Sequence, residues 1–277
     1  MEEETELLKS FEFEEPKSAD DVEKIEEKGK RDICRNGCDR PANVCLCKEL
    51  PGKPFLTYTK IIILHHPHEV HHKLATVPIL TKSLQNCEIL IGRRLRSGRS
   101  PILDSLHEAS VRDPALPHKA IYLFPGTDSS PAIDLNDWVG STIGGGGLDG
   151  AEIRALIVFD GTWKHAKEMV KSSLPYLSKF ATRVCLKYDV EVDGETIFNS
   201  ELVLRKEPFS GCMSTIEAVA RSLKVLEENN NGIEIEGKLI SILKSMVKFQ
   251  SSHVMKKNIK PRPMLKKQNK KPQNIVS

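Results

Sequence analysis

The stretch that most constrains this chain's fold is Ala155-Leu156-Ile157-Val158-Phe159-Asp160-Gly161-Thr162-Trp163, together with the residues that follow it. Its apolar front half reads as a strand covered on both faces, as in the parallel sheet of an α/β protein. Lys164 to Met169 reads as the start of a helix. Asp160 ends the strand and Gly161 permits a tight turn, so Asp160, Thr162 and Trp163 gather at the strand's carboxyl end, where open α/β sheets bind ligands. An ordinary strand-to-helix junction meets the same pattern, with Asp160 or Thr162 capping the helix and Trp163 filling the core.

The chain has 277 residues, enough for one substantial core and small additions. No apolar segment approaches the roughly 18 to 20 residues of a membrane span, and the acidic start suits neither a secretory signal nor a transit peptide. The expected location is therefore cytoplasmic, nuclear or both. The net charge of +3 hides an uneven distribution. Residues 1–30 read as a disordered acidic leader. The tail, residues 255–277, carries eight lysines and arginines, among them Lys266 and Lys267, and no acid. It suits phosphate binding, a nuclear address or simple solubility.

Four of the seven cysteines, Cys34, Cys38, Cys45 and Cys47, are separated by three, six and one residues. Without a secretory signal, disulfides are disfavoured, and four thiolates close a tetrahedral structural zinc site. Reduced, unligated thiols are the alternative. Residues 31–52 are thus a candidate four-cysteine zinc module, ahead of a main domain over 53–254.

Lys60 to Leu64 reads as a buried strand ended by Pro67, with His65, His66, His68, Glu69, His71 and His72 crowding the polar loop that follows. These histidines follow no compact ligand spacing, so the loop reads as substrate-facing. Leu74 to Leu84 suggests a helix interrupted near Pro78. Further strands are expected at Cys87 to Ile91, Ala120 to Phe124 and Arg183 to Lys187, with turns at Gly92 and Pro125-Gly126-Thr127. Arg93, Arg94, Arg96 and Arg99 form a basic loop, either a phosphate contact or a solvated cluster. Residues 128–150 read as a flexible insertion whose Gly144 to Gly147 lack a dinucleotide fingerprint. Leu202 to Pro208 precedes Ser214-Thr215-Ile216-Glu217, a capping box opening a helix to about Glu228, and a last helix runs from about Gly237 to His253. A helix start of this kind also suits a carboxylate or phosphate. There is no Ser-His-Asp order, no P-loop and no zinc-hydrolase motif.

Taken in order, the cluster ending Cys45-Leu46-Cys47, His66-Pro67-His68-Glu69, Asp160-Gly161-Thr162-Trp163 with Ala166, and Leu204-Arg205 with Ser214-Thr215-Ile216-Glu217-Ala218 resemble the motifs of the DTW-domain family. The resemblance spans about residues 30 to 250. It implies a tRNA-uridine aminocarboxypropyltransferase that uses S-adenosylmethionine and releases methylthioadenosine. It also implies a mostly parallel α/β fold with flanking helices, related to the SPOUT methyltransferases, with a knotted carboxyl-terminal half and a zinc module in front. On that basis Asp160, Thr162 and Trp163 are expected at the reaction centre, with Asp160 as general base. Leu123, Pro125, Gly126, Thr127, Asp160, Trp163, Ala166, Ser214, Thr215 and Glu217 are expected around the cofactor. His66, Glu69, Arg93, Arg94, Arg205, Lys266 and Lys267 are expected to contact tRNA. The rival readings are an enzyme of the same fold that acts on ribosomal RNA or transfers a methyl group, and a non-catalytic zinc-containing RNA-binding protein.

Overall fold

The computed structural model describes residues 32–256, apart from 36, 71, 73, 74, 115–117, 128–130, 143–153, 188–212 and 229. The described chain forms two compact units that divide between Cys45 and Leu46. The first is a small loop closed by an antiparallel bridge between Ile33 and Pro41 and a 3-10 turn over Ala42–Val44.

The second unit is an α/β domain. In chain order it comprises β1 (Thr59–His65), α1 (Val77–Ser83), β2 (Cys87–Ile91), α2 (Pro101–Arg112), β3 (Ala120–Leu123), β4 (Ile133–Asp134), α3 (Leu135–Thr142), β5 (Arg154–Asp160), α4 (Trp163–Leu177), β6 (Ala181–Cys185), α5 (Thr215–Leu226) and α6 (Asn231–Lys256). All strand pairs of the sheet are parallel, in the order β2-β1-β5-β3-β6-β4. No described helix is long and apolar enough to cross a membrane.

A parallel sheet must be covered on both faces, and the side-chain alternation shows how. Ile61, Ile63, Leu156 and Val158 point to a core shared with α1, α3, α5 and α6. Ile62, Leu64, Ala155, Ile157 and Phe159 point to a second core shared with α2 and α4. The unbroken apolar runs of β1 and β5 therefore serve two cores at once. Each fully buried Ile or Leu there contributes about 1.5–3 kcal/mol relative to exposure.

Several sequence expectations change. Pro78 does not interrupt a helix; it lies in the first turn of α1, where a missing N–H costs nothing. Residues 131–142 are not a flexible insertion but β4 and α3, because Leu135 and Trp138 are buried in the first core. Asp134 fixes their junction, accepting from the backbone N–H groups of Asn136 (2.9 Å) and Lys187 (3.1 Å). β6 begins two residues earlier than expected, and α6 begins at Asn231 rather than near Gly237. The expected Leu202 to Pro208 segment, the acidic leader and the basic tail beyond Lys256 lie outside the described residues.

Candidate active site

The site lies at the carboxyl ends of β1, β3 and β5, where the later strand β5 pairs between two earlier ones. His65 and Asp160 close β1 and β5 at the same register position. Their side chains meet: His65 Nδ1 donates to Asp160 Oδ2 at 2.6 Å, both groups being largely buried. The other carboxylate oxygen, Oδ1, accepts from the Thr215 hydroxyl at 2.5 Å. Thr215 begins α5, whose start is fixed by Ser214, accepting the Glu217 N–H at 3.3 Å as the capping box predicts. Three elements far apart in sequence thus converge on one carboxylate.

Gly161 serves a different purpose from the one read in the sequence. Its backbone needs no left-handed conformation; a Cβ there would instead lie 3.0 Å from His165 Cβ and 3.3 Å from His66 Cβ. The glycine lets the β1 loop and α4 close over the end of β5. Thr162 then caps α4, accepting from His165 N–H at 3.3 Å. Gly126 is likewise held by close approach, since a Cβ would meet Ala132 N at 2.5 Å.

Beside Asp160 opens a cavity of about 190 Å³, walled by Leu123, Phe124, Phe159, Trp163, Leu186 and Met213, with Pro125, Ala166 and Thr215 also on its lining. Trp163 and Phe124 rings stand 5.9 Å apart, and the Arg183 guanidinium lies 5.7 Å from the Phe124 centroid on the sheet side. The cavity is an apolar slot with a hydroxyl at one end, a shape that suits a flat heterocycle carrying a polar group. Of the residues expected around a cofactor, Leu123, Pro125, Trp163, Ala166 and Thr215 line it. Asp160 is not itself on the lining but lies between two residues that are, Phe159 and Gly161, and accepts from the hydroxyl of a third, Thr215. Gly126 and Thr127 are exposed on the β3 turn, and Ser214 is occupied in capping. Glu217 is fully buried, with Oε1 3.1 Å from Arg221 Nη2, and it does not stand on the cavity wall.

The histidine loop forms a 3-10 turn over Pro67–Glu69. His66 is fully buried and stacks face to face on His165, with centroids 3.8 Å apart and planes 8° apart. Burial, and then the neighbouring His165, His68 and Arg93, push the His66 ring below the usual histidine range, which leaves it neutral at pH 7. His66, His68 and His165 offer nitrogens within 4.8 Å of one another. Rings stacked in parallel direct their nitrogen lone pairs side by side rather than at a common point, so the trio lacks the convergence of a tetrahedral site. His66 and Glu69 were expected to contact tRNA; the structure buries both. Arg93 and Arg94 are exposed beside them. Arg205, Lys266 and Lys267 lie outside the described residues.

The Sγ atoms of Cys34, Cys38, Cys45 and Cys47 all lie within 4.8 Å of one another. Cys45 Sγ is 3.3 Å from Cys34 Sγ and 3.7 Å from Cys38 Sγ. These separations are too long for a disulfide and close to the edge of a tetrahedral zinc–thiolate site, about 3.8 Å. The group could hold a metal ion.

Sequence reading placed His65 in the polar loop without a role of its own, whereas it closes β1, and it missed the cavity role of Met213. His65 carries a signal in hindsight: it is a polar residue ending an apolar strand whose neighbour ends in Asp.

A parallel sheet with a buried carboxylate and an apolar slot at a strand-order reversal defines a ligand-binding α/β domain of the enzyme type. The chain matches the DTW domain over residues 31–251 and belongs to that family. It is similar to "tRNA-uridine aminocarboxypropyltransferase A" of Arabidopsis thaliana, with 49% identity over 255 residues covering 88% of this chain and 90% of the relative. It is also similar to "tRNA-uridine aminocarboxypropyltransferase 2" of Macaca fascicularis, at 30% identity over 84% of this chain and 72% of the relative, and of Drosophila melanogaster, at 28% over 86% of each. No solved structure matches the chain significantly.

Proposed function

We propose that this chain is a tRNA-uridine aminocarboxypropyltransferase, transferring the 3-amino-3-carboxypropyl group of S-adenosylmethionine to N3 of a tRNA uridine. The observation that carries the reading is the Asp160 carboxylate, held by two donors beside the apolar slot in a member of this family. The donor molecule supplies a methylene carbon activated by its sulfonium. Trp163 and Phe124 offer two aromatic faces, tilted 54° to each other, to the adenine, and the α5 amino end offers N–H groups and a dipole to the amino acid carboxylate.

Uridine N3 is a weak nucleophile while protonated. Asp160 accepts the N3 proton as the N3–carbon bond forms and the carbon–sulfur bond breaks; its electron pair leaves on sulfur, giving methylthioadenosine. General-base assistance of this kind is worth about 10²–10⁴ in rate. Arg93 and Arg94, with Arg205, Lys266 and Lys267, are the candidate partners of tRNA phosphates, and the target uridine turns out of its stack to reach the slot. The four cysteines take a structural zinc ion, whose preference for thiolates they match. The SPOUT-like path with a knotted carboxyl-terminal half belongs to the same reading. Cytoplasmic or nuclear residence is proposed with it, testable by imaging a tagged chain.

The test is mass spectrometry of total tRNA incubated with the purified protein and S-adenosylmethionine, beside an Asp160→Ala control of unchanged fold. An aminocarboxypropyl uridine with equimolar methylthioadenosine is expected from the wild type, and a loss of at least about 100-fold from the variant. A methylated nucleoside with S-adenosylhomocysteine would overturn the chemistry. Product on ribosomal RNA alone would overturn the tRNA substrate.

A further inference from the structure

We infer that His65 is the positioning residue of the reaction: its ring, locked at the end of β1, fixes the rotamer of the Asp160 carboxylate by holding the oxygen that Thr215 does not. The inference rests on the transferase reading above.

The argument begins with register. β1 and β5 pair in parallel with His65 opposite Asp160. The backbone continues that pairing past the strand, His66 N–H donating to Asp160 O at 3.0 Å and Gly92 N–H to His65 O at 3.0 Å. The His65 backbone is therefore tied on both sides, to β5 and to the chain leaving β2. Its side chain, only 6% exposed, has little room to turn. A carboxylate only accepts hydrogen bonds, so the 2.6 Å contact places a proton on His65 Nδ1.

Asp160 has two side-chain torsions to fix, and two donors fix them. Asp160 and His65 project onto the face of the sheet that α5 covers, Thr215 holding Oδ1 from the start of α5 and His65 holding Oδ2 from the neighbouring strand. With either donor missing, the carboxylate swings about its remaining bond. A misplacement of about 1 Å in a proton-accepting group costs up to about 10²-fold in rate while leaving substrate binding intact. His65 is off the cavity wall and its Nδ1 is committed to Asp160, which lies between the lining residues Phe159 and Gly161, so His65 acts through Asp160.

Asparagine supplies the discriminating variant. Its Nδ2 lies two bonds from Cβ, the same as Nδ1 of histidine, and can donate along the same line; leucine fills similar space without a donor. The experiment measures kcat and KM for S-adenosylmethionine and tRNA in wild type, His65→Leu and His65→Asn, each normalised to folded protein. Alongside it, proton NMR follows the hydrogen-bonded imidazole N–H of His65, with Asp160→Ala as the control. The expected result is a kcat about 10- to 100-fold lower for His65→Leu, both KM values within about twofold of wild type, and recovery of most of the loss in His65→Asn. A downfield N–H resonance is expected in the wild type and not in Asp160→Ala.

A His65→Leu enzyme as active per folded molecule as wild type would overturn the proposal, as would failure of His65→Asn to recover any kcat. Absence of the N–H resonance in the wild type would overturn it even if His65→Leu does not fold. If the wild type itself transfers no group to tRNA, the transferase reading fails and the positioning role falls with it; an active wild type with indifferent variants sinks the positioning role alone.

Discussion

Trp163 and Phe124 hold their rings 5.9 Å apart at a tilt of 54°, one from the first residue of α4 and the other from the turn after β3. Together they wall one side of the slot. Of the two tryptophans, Trp138 is buried in the first core, so a ligand entering the slot should quench Trp163 selectively. Titration with S-adenosylmethionine is expected to change fluorescence in wild type and not in Trp163→Phe. Trp163→Ala should bind about tenfold more weakly by calorimetry, from the loss of one aromatic contact.

Glu227, just past α5, accepts the backbone N–H groups of Tyr58 and Thr59 at 2.9 Å each, satisfying the entry to β1 from across the sheet. The residue is buried. Glu227→Ala leaves two N–H donors without acceptors and should destabilise the fold by about 2–4 kcal/mol. Urea denaturation measures this, and a loss under roughly 0.5 kcal/mol, what an ordinary surface substitution costs, would contradict it.

His66 carries a pH signature. Burial holds its ring below the usual 6.5, so the unfolded chain binds a proton more readily than the folded one. Stability is therefore complete above pH 6.5 and falls as pH drops toward the lowered folded value. His66→Asn keeps an acceptor for the His68 N–H and removes the titration. The melting temperature of wild type should drop more steeply than that of His66→Asn between about pH 7 and 5.5.

The four-cysteine group predicts one zinc ion per chain by elemental analysis, lost with Cys34→Ser and replaced by cobalt with thiolate charge-transfer bands. The stacked imidazoles of His66 and His165 predict no second ion, so metal content should stay at one in His165→Ala. Cys87, pushed up to about 12 by burial, should resist alkylation at about pH 8 in the folded protein.

What the sequence made legible followed local rules. The β5 run, the Thr162 and Ser214 caps and the clustering of cysteines each depend on residues close to one another along the chain. The positions of Asp160, Thr162 and Trp163 at the end of β5 and of Thr215 at the start of α5 were legible that way; their roles came from the family resemblance. The part played by His65 was not legible, because its partner lies 95 positions along the chain and the contact exists only through strand register. α3 was hidden by the glycines of 144–147, which made the whole segment look structureless although Leu135 and Trp138 supply a buried face. His66 and Glu69 looked like surface chemistry because polar residues in a proline-containing loop usually are. Both are buried instead, and for His66 the close approach permitted by Gly161 makes the room.

The strand order also sets a timetable for synthesis. β1 and β3 leave the ribosome well before β5, which pairs with both of them. Until residue 160 has emerged, each carries an unpaired apolar edge of the kind that recruits other chains. Premature termination before β5 would release a sticky β1–β2 pair and an unpaired β3 rather than a weakened enzyme. Slowing translation between residues 123 and 154 should accordingly lower the soluble yield more than slowing it after residue 185.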